Sequence, residues 1–390
     1  MKFLHTADWH LGVKSMGKDR IECQKRTMQE ICSIADEHNI DVVIIAGDVY
    51  NSSVPTALSE ELFYETIEKL SNNGNRIVLV VSGNHDDPER LCAGLPLAFK
   101  HNIVLAGNIE SLKVDKFVKG KALEVVSAKE GFVKIKKGEE YVNIAYLPFD
   151  STLKARPNIQ EKSYSSLVGE IAKEISQDFN ENEFNILVSH LFLVGSRIAR
   201  DRVVNVGDVF AVSKHDLPNA DYIALGHIHS NQVISDNAFY SGATSKLRPQ
   251  KGDLCVNIFE SNKNNINFQI IKLETPERYE QIKAYSLLDA EEKLKEFKNT
   301  DLVEITFILE EPLKASEIKE LKNNYECVIN VNLELVNDKK EPVTYNNFTR
   351  KNLSEKELFK AFYLKKKGVE PRESLLDLFL ECKGGKHEAN

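Results

Sequence analysis

The chain has no C-x-x-C pair, no apolar run approaching the roughly 18 residues that cross a bilayer, and no excess of positive charge. Each absence excludes something. Its six cysteines (Cys23, Cys32, Cys92, Cys255, Cys327 and Cys382) are scattered, which fits reduced structural thiols and excludes a disulfide framework or a Cys-rich zinc site. The start, "MKFLHTADWH", lacks the basic region, long apolar region and small-residue cleavage site of a secretory signal, so a cytoplasmic protein without a membrane contact is expected. A net charge of −8 speaks mildly against a nucleic-acid partner, because phosphate binding draws on clustered Lys and Arg. Bound divalent cations or a basic partner subunit would reverse that local field.

What is present suits a multidomain globular protein. A length of 390 residues exceeds one ordinary core and predicts two to three units. Short apolar runs such as "DVVIIAGDV" and "RIVLVVSGNHDD" alternate with amphipathic helical patterns, which predicts βαβ units whose strands are buried on both faces. "GFVKIKKGEEYVNIAYLPF" alternates apolar and polar residues around Lys137-Gly138 and predicts a hairpin. Further strands are expected at "FNILVSH", "DYIALGH", "AFYSGA" and "LCVNIFES". The polar, Pro-containing "ETPERYEQI" reads as a linker that closes a first domain over residues 1–274. Behind it, helix, strand, helix and strand patterns predict a small α/β domain over 276–337.

A third unit is expected over 345–383. Ser354 and Glu357 form an S-x-x-E capping box, with Leu353 and Leu358 placed as a hydrophobic staple. Two short helices follow, with Leu358, Phe359, Phe362, Leu375, Leu378 and Phe379 as their apolar set. A pair so small cannot bury that face alone and needs a partner surface.

Five motifs carry chemistry, each at the end of an expected strand: "TADWHLG" with Asp8 and His10, "AGDVY" with Asp48, "SGNHDD" with Asn84 and His85, "VSHLF" with His190, and "GHIHS" with His227 and His229. Ligand sites of α/β sheets lie outside the carboxyl ends of the strands, so residues far apart in sequence can converge there. Imidazoles and carboxylates with one amide suit Mn, Fe or Zn rather than Mg or Ca. Asp8, His10, Asp48, Asn84, His190, His227 and His229 are too many donors for one ion and fit two that share a bridging carboxylate. Two metals roughly 3.5–4 Å apart are the usual device for displacement at phosphorus. His85 is left over beside Asn84, placed to protonate a leaving oxygen or to stabilise phosphoryl charge. If the strand continued through "GHIHS", His227 and His229 would point the same way. His5, His38, His101, His215 and His387 lack such neighbours and read as surface or satisfied histidines. Arg197, Arg200 and Arg202, in "GSRIARDRVVNVGD", suit phosphate recognition through their planar forks. A phosphatase acting on a small molecule or protein would need the same metals, while the complete donor set disfavours a noncatalytic scaffold.

The series D-x-H, G-D, G-N-H-D, S-H and G-H-x-H resembles the calcineurin-like metallophosphoesterases. The longer stretches "HTADWHLG", "AGDVY", "SGNHDD", "VSHLF" and "ALGHIHS", with the C-terminal "ELFKAFYLKKKGVEPRESLLDLFLE", resemble the Mre-type DNA-repair nucleases of that family over nearly the whole chain. The resemblance implies an α/β fold built as a β-sandwich flanked by helices, with a small capping domain that contacts DNA. It implies a manganese-dependent nuclease with two metal ions, acting as an ATP-dependent exonuclease on double-strand ends and an endonuclease on single strands and hairpins. The implied partners are DNA, a coiled-coil ATPase subunit held by the C-terminal helices, and a second copy of the chain, with residues 56–70 and 88–100 as the candidate dimer contacts. In that family one metal takes the counterparts of Asp8, His10, Asp48 and His229, and the other those of Asp48, Asn84, His190 and His227, while the counterpart of His85 serves cleavage without being a permanent ligand. Two departures bear on substrate positioning: Asn51, where relatives often carry Asp or His, and "SGAT" at 241–244, where many read S-G-S-P.

Overall fold

The runs VVIIA and IVLVV are apolar at every position because both faces of their strands are covered. In the computed structural model Val42, Ile44 and Ala46 face one core while Val43 and Ile45 face another, the period-two alternation of an extended chain. The structure describes residues 1–15, 18–109, 117, 122–149, 163–198, 202–203, 210–245, 253–263, 266–274 and 278–335, and beyond these 359–360, 363, 370–373 and 375–376.

Two large sheets carry most of the described strands among the first 274 residues. One is built from β1 (Lys2–Thr6), β2 (Val42–Ala46), β3 (Ile77–Val81) and β4 (Ile103–Ala106). The other is built from β5 (Leu123–Lys129), β6 (Phe132–Lys137), β7 (Glu140–Leu147), β8 (Phe184–His190), β9 (Tyr222–Gly226), β10 (Gln232–Ser235) and β11 (Ala238–Tyr240). The chain then returns to the first sheet with β12 (Cys255–Glu260) and β13 (Phe268–Lys272). The strand orders are β13-β12-β1-β2-β3-β4 and β10-β11-β9-β8-β7-β6-β5. Strands β1 to β4 run parallel, as do β7, β8, β9 and β11, so each sheet has a set of carboxyl ends on one side. The hairpin expected around Lys137-Gly138 joins β6 to β7, with Gly138 at φ +61° as the turn requires.

Three apolar cores follow from this layering. Between the sheets lie Phe3, Val42, Ile44, Leu79, Ile144, Val188, Tyr222 and Phe259 among others, with Tyr222 stacked on Phe259 at 3.7 Å between ring centroids. The outer face of the first sheet is covered by α1 (Ile21–Glu37) and α2 (Ala57–Ser71), which bury Met28, Ile31, Leu62 and Phe63 against Val43, Ile45 and Val80. The outer face of the second is covered by α3 (Tyr164–Ile175). Caps fix where two of these helices start: Thr56 accepts from Ser59 N and Ser163 from Ser166 N. The result is the helix-flanked β-sandwich that the sequence implied, and each fully buried Val or Ile contributes about 1.5–3 kcal/mol to it.

Residues 279–335 form a separate three-stranded parallel sheet with two helices: β14 (Tyr279–Ala284), α4 (Leu287–Leu294), β15 (Leu302–Leu309), α5 (Ala315–Asn324) and β16 (Val328–Leu335). Its core of Ala284, Ala290, Leu294, Val303, Ile305, Phe307 and Leu321 is separate from the other three. One expectation is corrected here. "YEQI", read as linker, belongs to β14, because only one face of that strand is covered and its outward Tyr279 and Gln281 bond instead to Glu304 on β15. Met1–Leu335 is one compact unit and Val336–Asn390 another. In the second, Phe359 and Tyr363 bring their rings to 6.0 Å, and the Ser354–Glu357 capping box lies outside the described residues. Among the described residues no helix is long and apolar enough to cross a membrane.

Candidate metal centre

Every sequence-selected ligand lies at, or within four residues of, the carboxyl end of a strand. β1 ends at Thr6 before Asp8 and His10, β2 at Ala46 before Asp48, and β3 at Val81 before Asn84. β8 ends on His190 itself, and β9 ends at Gly226 before His227 and His229. Four of these residues are in the left-handed region, with φ of +53° at Asp8, +47° at His10, +51° at Asp48 and +92° at His227. Such values are uncommon for non-glycine residues and are held against a local cost. Gly47 sits at φ +90°, where a Cβ would stand 2.2 Å from His190 Nδ1. At Gly226 a Cβ would meet the Ala46 carbonyl oxygen at 1.8 Å. These two positions let the sheets approach closely enough for their ligands to meet.

Asp48 joins the two sides of the site. Its Oδ2 is 3.6 Å from His10 Nε2 and its Oδ1 is 3.4 Å from His190 Nε2. On the first side His10 Nε2 lies 3.1 Å from His229 Nε2, which is 3.9 Å from Asp8 Oδ1. On the second, His190 Nε2 lies 3.1 Å from both Asn84 Oδ1 and His227 Nδ1. His227 and His229 therefore fall in different groups: the strand stops at Gly226, so the extended geometry that would point them the same way is not reached, and the positive φ of His227 turns the chain.

The donor set fits cations. His190 Nδ1 lies 2.9 Å from the Ala46 carbonyl, which can only accept, so Nδ1 carries a hydrogen and, once the ring is neutral, Nε2 presents a lone pair. That atom faces an amide oxygen, a carboxylate oxygen and a second imidazole nitrogen, an assembly that a proton or a metal ion can hold together. The electrostatics agree. Burial pushes Asp8 up to about 7 and lowers His10 and His227 to about 3. Burial also opposes charge on Asp48 and His190, but their mutual attraction outweighs it, holding Asp48 below the usual carboxylate range and raising His190 to about 9.

His85 is exposed and stands beside both sides. Its backbone N–H donates to Asp48 Oδ1 at 2.9 Å, and its ring Nδ1 lies 2.9 Å from the Asn51 carbonyl oxygen. Asn51 thus acts on the site through its main chain. "SGAT" does likewise: Ala243 N donates to the His229 carbonyl at 3.0 Å and Thr244 N to that of Asp8 at 3.4 Å. Arg197 is exposed, with its main chain bonded to Gln232. Arg202 pairs through its backbone with Ile198, and Arg200 lies outside the described residues. His5 is no surface residue: it is fully buried, with Nδ1 3.1 Å from the Tyr222 hydroxyl.

One residue that sequence reasoning passed over organises the centre. Asp86, the first acid of "SGNHDD", accepts from Val49 N, Tyr50 N and Gly83 N at 3.1, 2.8 and 2.8 Å, tying the Asp48 loop to the Asn84 loop. Its place as the last residue of the G-N-H-D motif, beside Asn84 and His85, is the signal the sequence offers. Phe149 and Phe192 flank the His227 ring, with centroids at 6.1 and 3.9 Å.

Residues 1–231 match the calcineurin-like phosphoesterase family, and the chain belongs to it, as the sandwich and the shared-carboxylate site lead one to expect. Within that class it resembles the D subunit of nuclease SbcCD from Bacillus subtilis (strain 168), at 28% identity over 100% of this chain and 99% of the relative. The same subunit from Staphylococcus epidermidis is 26% identical over 86% of this chain and 76% of the relative. Among solved structures, the crystal structure of TT1561 of Thermus thermophilus covers 70% of this chain and 99% of its own at 10% identity, with a TM-score of 0.39, too low to carry an argument.

Proposed function

We propose that this chain is the nuclease subunit of a DNA-processing complex, hydrolysing phosphodiester bonds with two divalent ions, Mn2+ by preference. One ion is assigned to Asp8, His10, Asp48 and His229, the other to Asp48, Asn84, His190 and His227. The observation that carries the reading is the Asp48 carboxylate, which turns one oxygen to the His10 side and the other to the His190 side. When bound, such a pair of cations supplies Lewis-acid stabilisation of a phosphoryl group undergoing displacement.

The chain's own groups do the rest. The Ala46 carbonyl fixes the His190 tautomer, leaving Nε2 for the centre. The Asn51 carbonyl takes the Nδ1 hydrogen of His85, so its Nε2 is the atom free to hold a proton and pass it to a leaving oxygen. Arg197, Arg200 and Arg202 are assigned to substrate phosphates.

The names of the full-length relatives support the wider assignment. Residues 1–274 form the nuclease domain, 276–337 a cap that contacts DNA, and 345–383 the docking segment for a coiled-coil ATPase subunit of the SbcC kind. The assembly would act in the cytoplasm, in DNA repair, replication and recombination, as an ATP-dependent double-strand exonuclease and a single-strand and hairpin endonuclease. Exposed Leu58 and Leu97, within the candidate stretches 56–70 and 88–100, suit a homodimer contact of the nuclease domain.

Cleavage of labelled linear duplex and single-stranded DNA by the purified chain in manganese, with and without the ATPase subunit, tests this beside His85→Ala. Expected is cleavage that needs Mn2+ and His85 and, on duplex ends, also the partner and ATP. Intact DNA together with hydrolysis of a small phosphoester or phosphoprotein would leave the family standing and replace the nuclease with a phosphatase.

A further inference from the structure

Two buried side-chain amides stand behind one half of the centre. Gln24, in the first turn of α1 and 2% exposed, accepts from Gly12 N at 2.9 Å and donates to the carbonyls of Trp9 and His10 at 3.2 and 2.9 Å. Three bonds from one amide therefore close on the loop that carries Asp8 and His10. Ser245 completes the clamp, its hydroxyl 3.4 Å from both Gln24 Nε2 and the Trp9 carbonyl.

Asn257, fully buried on β12, reaches from the first sheet to the end of the second. It accepts from Asn231 Nδ2 at 2.7 Å and lies 3.4 Å from the Tyr240 carbonyl, to which it donates. Asn231 also donates to the Ser241 carbonyl at 3.1 Å, and Ala243 N closes the same turn on the His229 carbonyl. The loop that presents His229 is thereby pinned to the strand that pairs with β1, where Asn257 sits opposite His5. Among the described residues, neither amide bonds to Asn84, His190 or His227.

We propose that Gln24 and Asn257 are positioning residues for the Asp8–His10–His229 half of the metal centre, an inference that rests on the two-ion reading above. The physical ground is strain. Asp8 and His10 sit at φ of +53° and +47°, and a loop in that conformation persists only while its surroundings over-determine it. Supporting partners of this kind set a ligand's orientation, and losing one typically lowers metal affinity about 10- to 100-fold.

The test is Mn2+ binding to the full chain, read by calorimetry and by electron paramagnetic resonance. Gln24→Met and Asn257→Leu fill the space without hydrogen bonds. Asn231→Ala cuts the second clamp at a half-buried position and serves where Asn257→Leu does not fold. The control is Asn143→Leu, an equally buried amide that bonds to Glu183 and Asn185 away from the carboxyl ends of the strands. His229→Ala and His190→Ala identify which binding step belongs to which half.

The unsubstituted chain is expected to bind two Mn2+ as a spin-coupled pair. In the clamp variants the His229-side ion weakens by about 10- to 100-fold, the coupled signal gives way to that of an isolated ion, and the His190-side ion keeps its affinity. The control keeps both, whatever its thermal midpoint. Equal weakening of the two ions in the clamp variants, or no weakening, overturns the inference. Fewer than two ions in the unsubstituted chain overturns the two-ion reading itself, a failure visible without any variant.

Discussion

His190 is under opposed electrostatic influences. Burial disfavours its charge, yet Asp48 beside it raises its pKa to about 9, so in the metal-free protein the imidazole holds a proton at neutral pH where a cation would otherwise sit. Metal binding must displace that proton. Calorimetric titration with Mn2+ at pH 7 in buffers of different ionisation enthalpy should therefore show net release of about one proton or more per chain, and His190→Gln should reduce it. His5 titrates the other way. Burial lowers its pKa from 6.5 to about 3, so between those values the unfolded chain binds the extra proton and stability is lost as pH falls. Relative to the parent, His5→Leu should gain stability by about 1 kcal/mol per pH unit on acidification below pH 6, measured by denaturant unfolding at successive pH values. A difference that does not change with pH would show that His5 is charged in the folded protein.

At the scale of strands and loops, close approach of the sheets depends on positions without a side chain. Gly47→Ala places a methyl where His190 Nδ1 stands, at a φ of +90°, so a backbone penalty of about 1 kcal/mol is joined by displacement of the ring. Expected are a lower unfolding midpoint and weaker binding of the His190-side ion, read by thermal melts and metal titration. Much of this architecture was legible beforehand. Runs such as VVIIA announce strands covered on both faces, and Asp, Asn and His gathered at successive run ends announce where those strands deliver their ligands. β14 was hidden because its open face bears Tyr279 and Gln281, which look like linker until Glu304 arrives from β15 to receive them. The divergence of His227 from His229 was legible only through the family resemblance, because a positive φ at a non-glycine residue leaves no mark in composition or periodicity. Asp86 and Gln24 hold the site through main-chain atoms of distant loops, contacts that one sequence does not encode as a pattern.

For the whole molecule, the core of residues 279–335 shares no member with the three cores of the sandwich. A chain ending at Glu274 should therefore still bind Mn2+ with the affinity of the full protein, and loss of binding on truncation would show that the cap supports the centre. Because the folded sandwich and not the unfolded chain gathers the proposed ligands, Mn2+ at about 100 times its dissociation constant should add about 2.7 kcal/mol of stability per ion bound, removed again by chelation and read as a fall in melting temperature. The sheets share the proposed ligands unequally. Asp8, His10, Asp48 and Asn84 follow strands of the first, while His190, His227 and His229 follow strands of the second. Contacts of 3.1–3.4 Å between the two sets do not survive a slip of one layer by a single residue's rise, about 3.3 Å. The centre is therefore a vernier for the mating of the two layers, and a copy whose halves are misaligned is disarmed before it can meet a phosphoester.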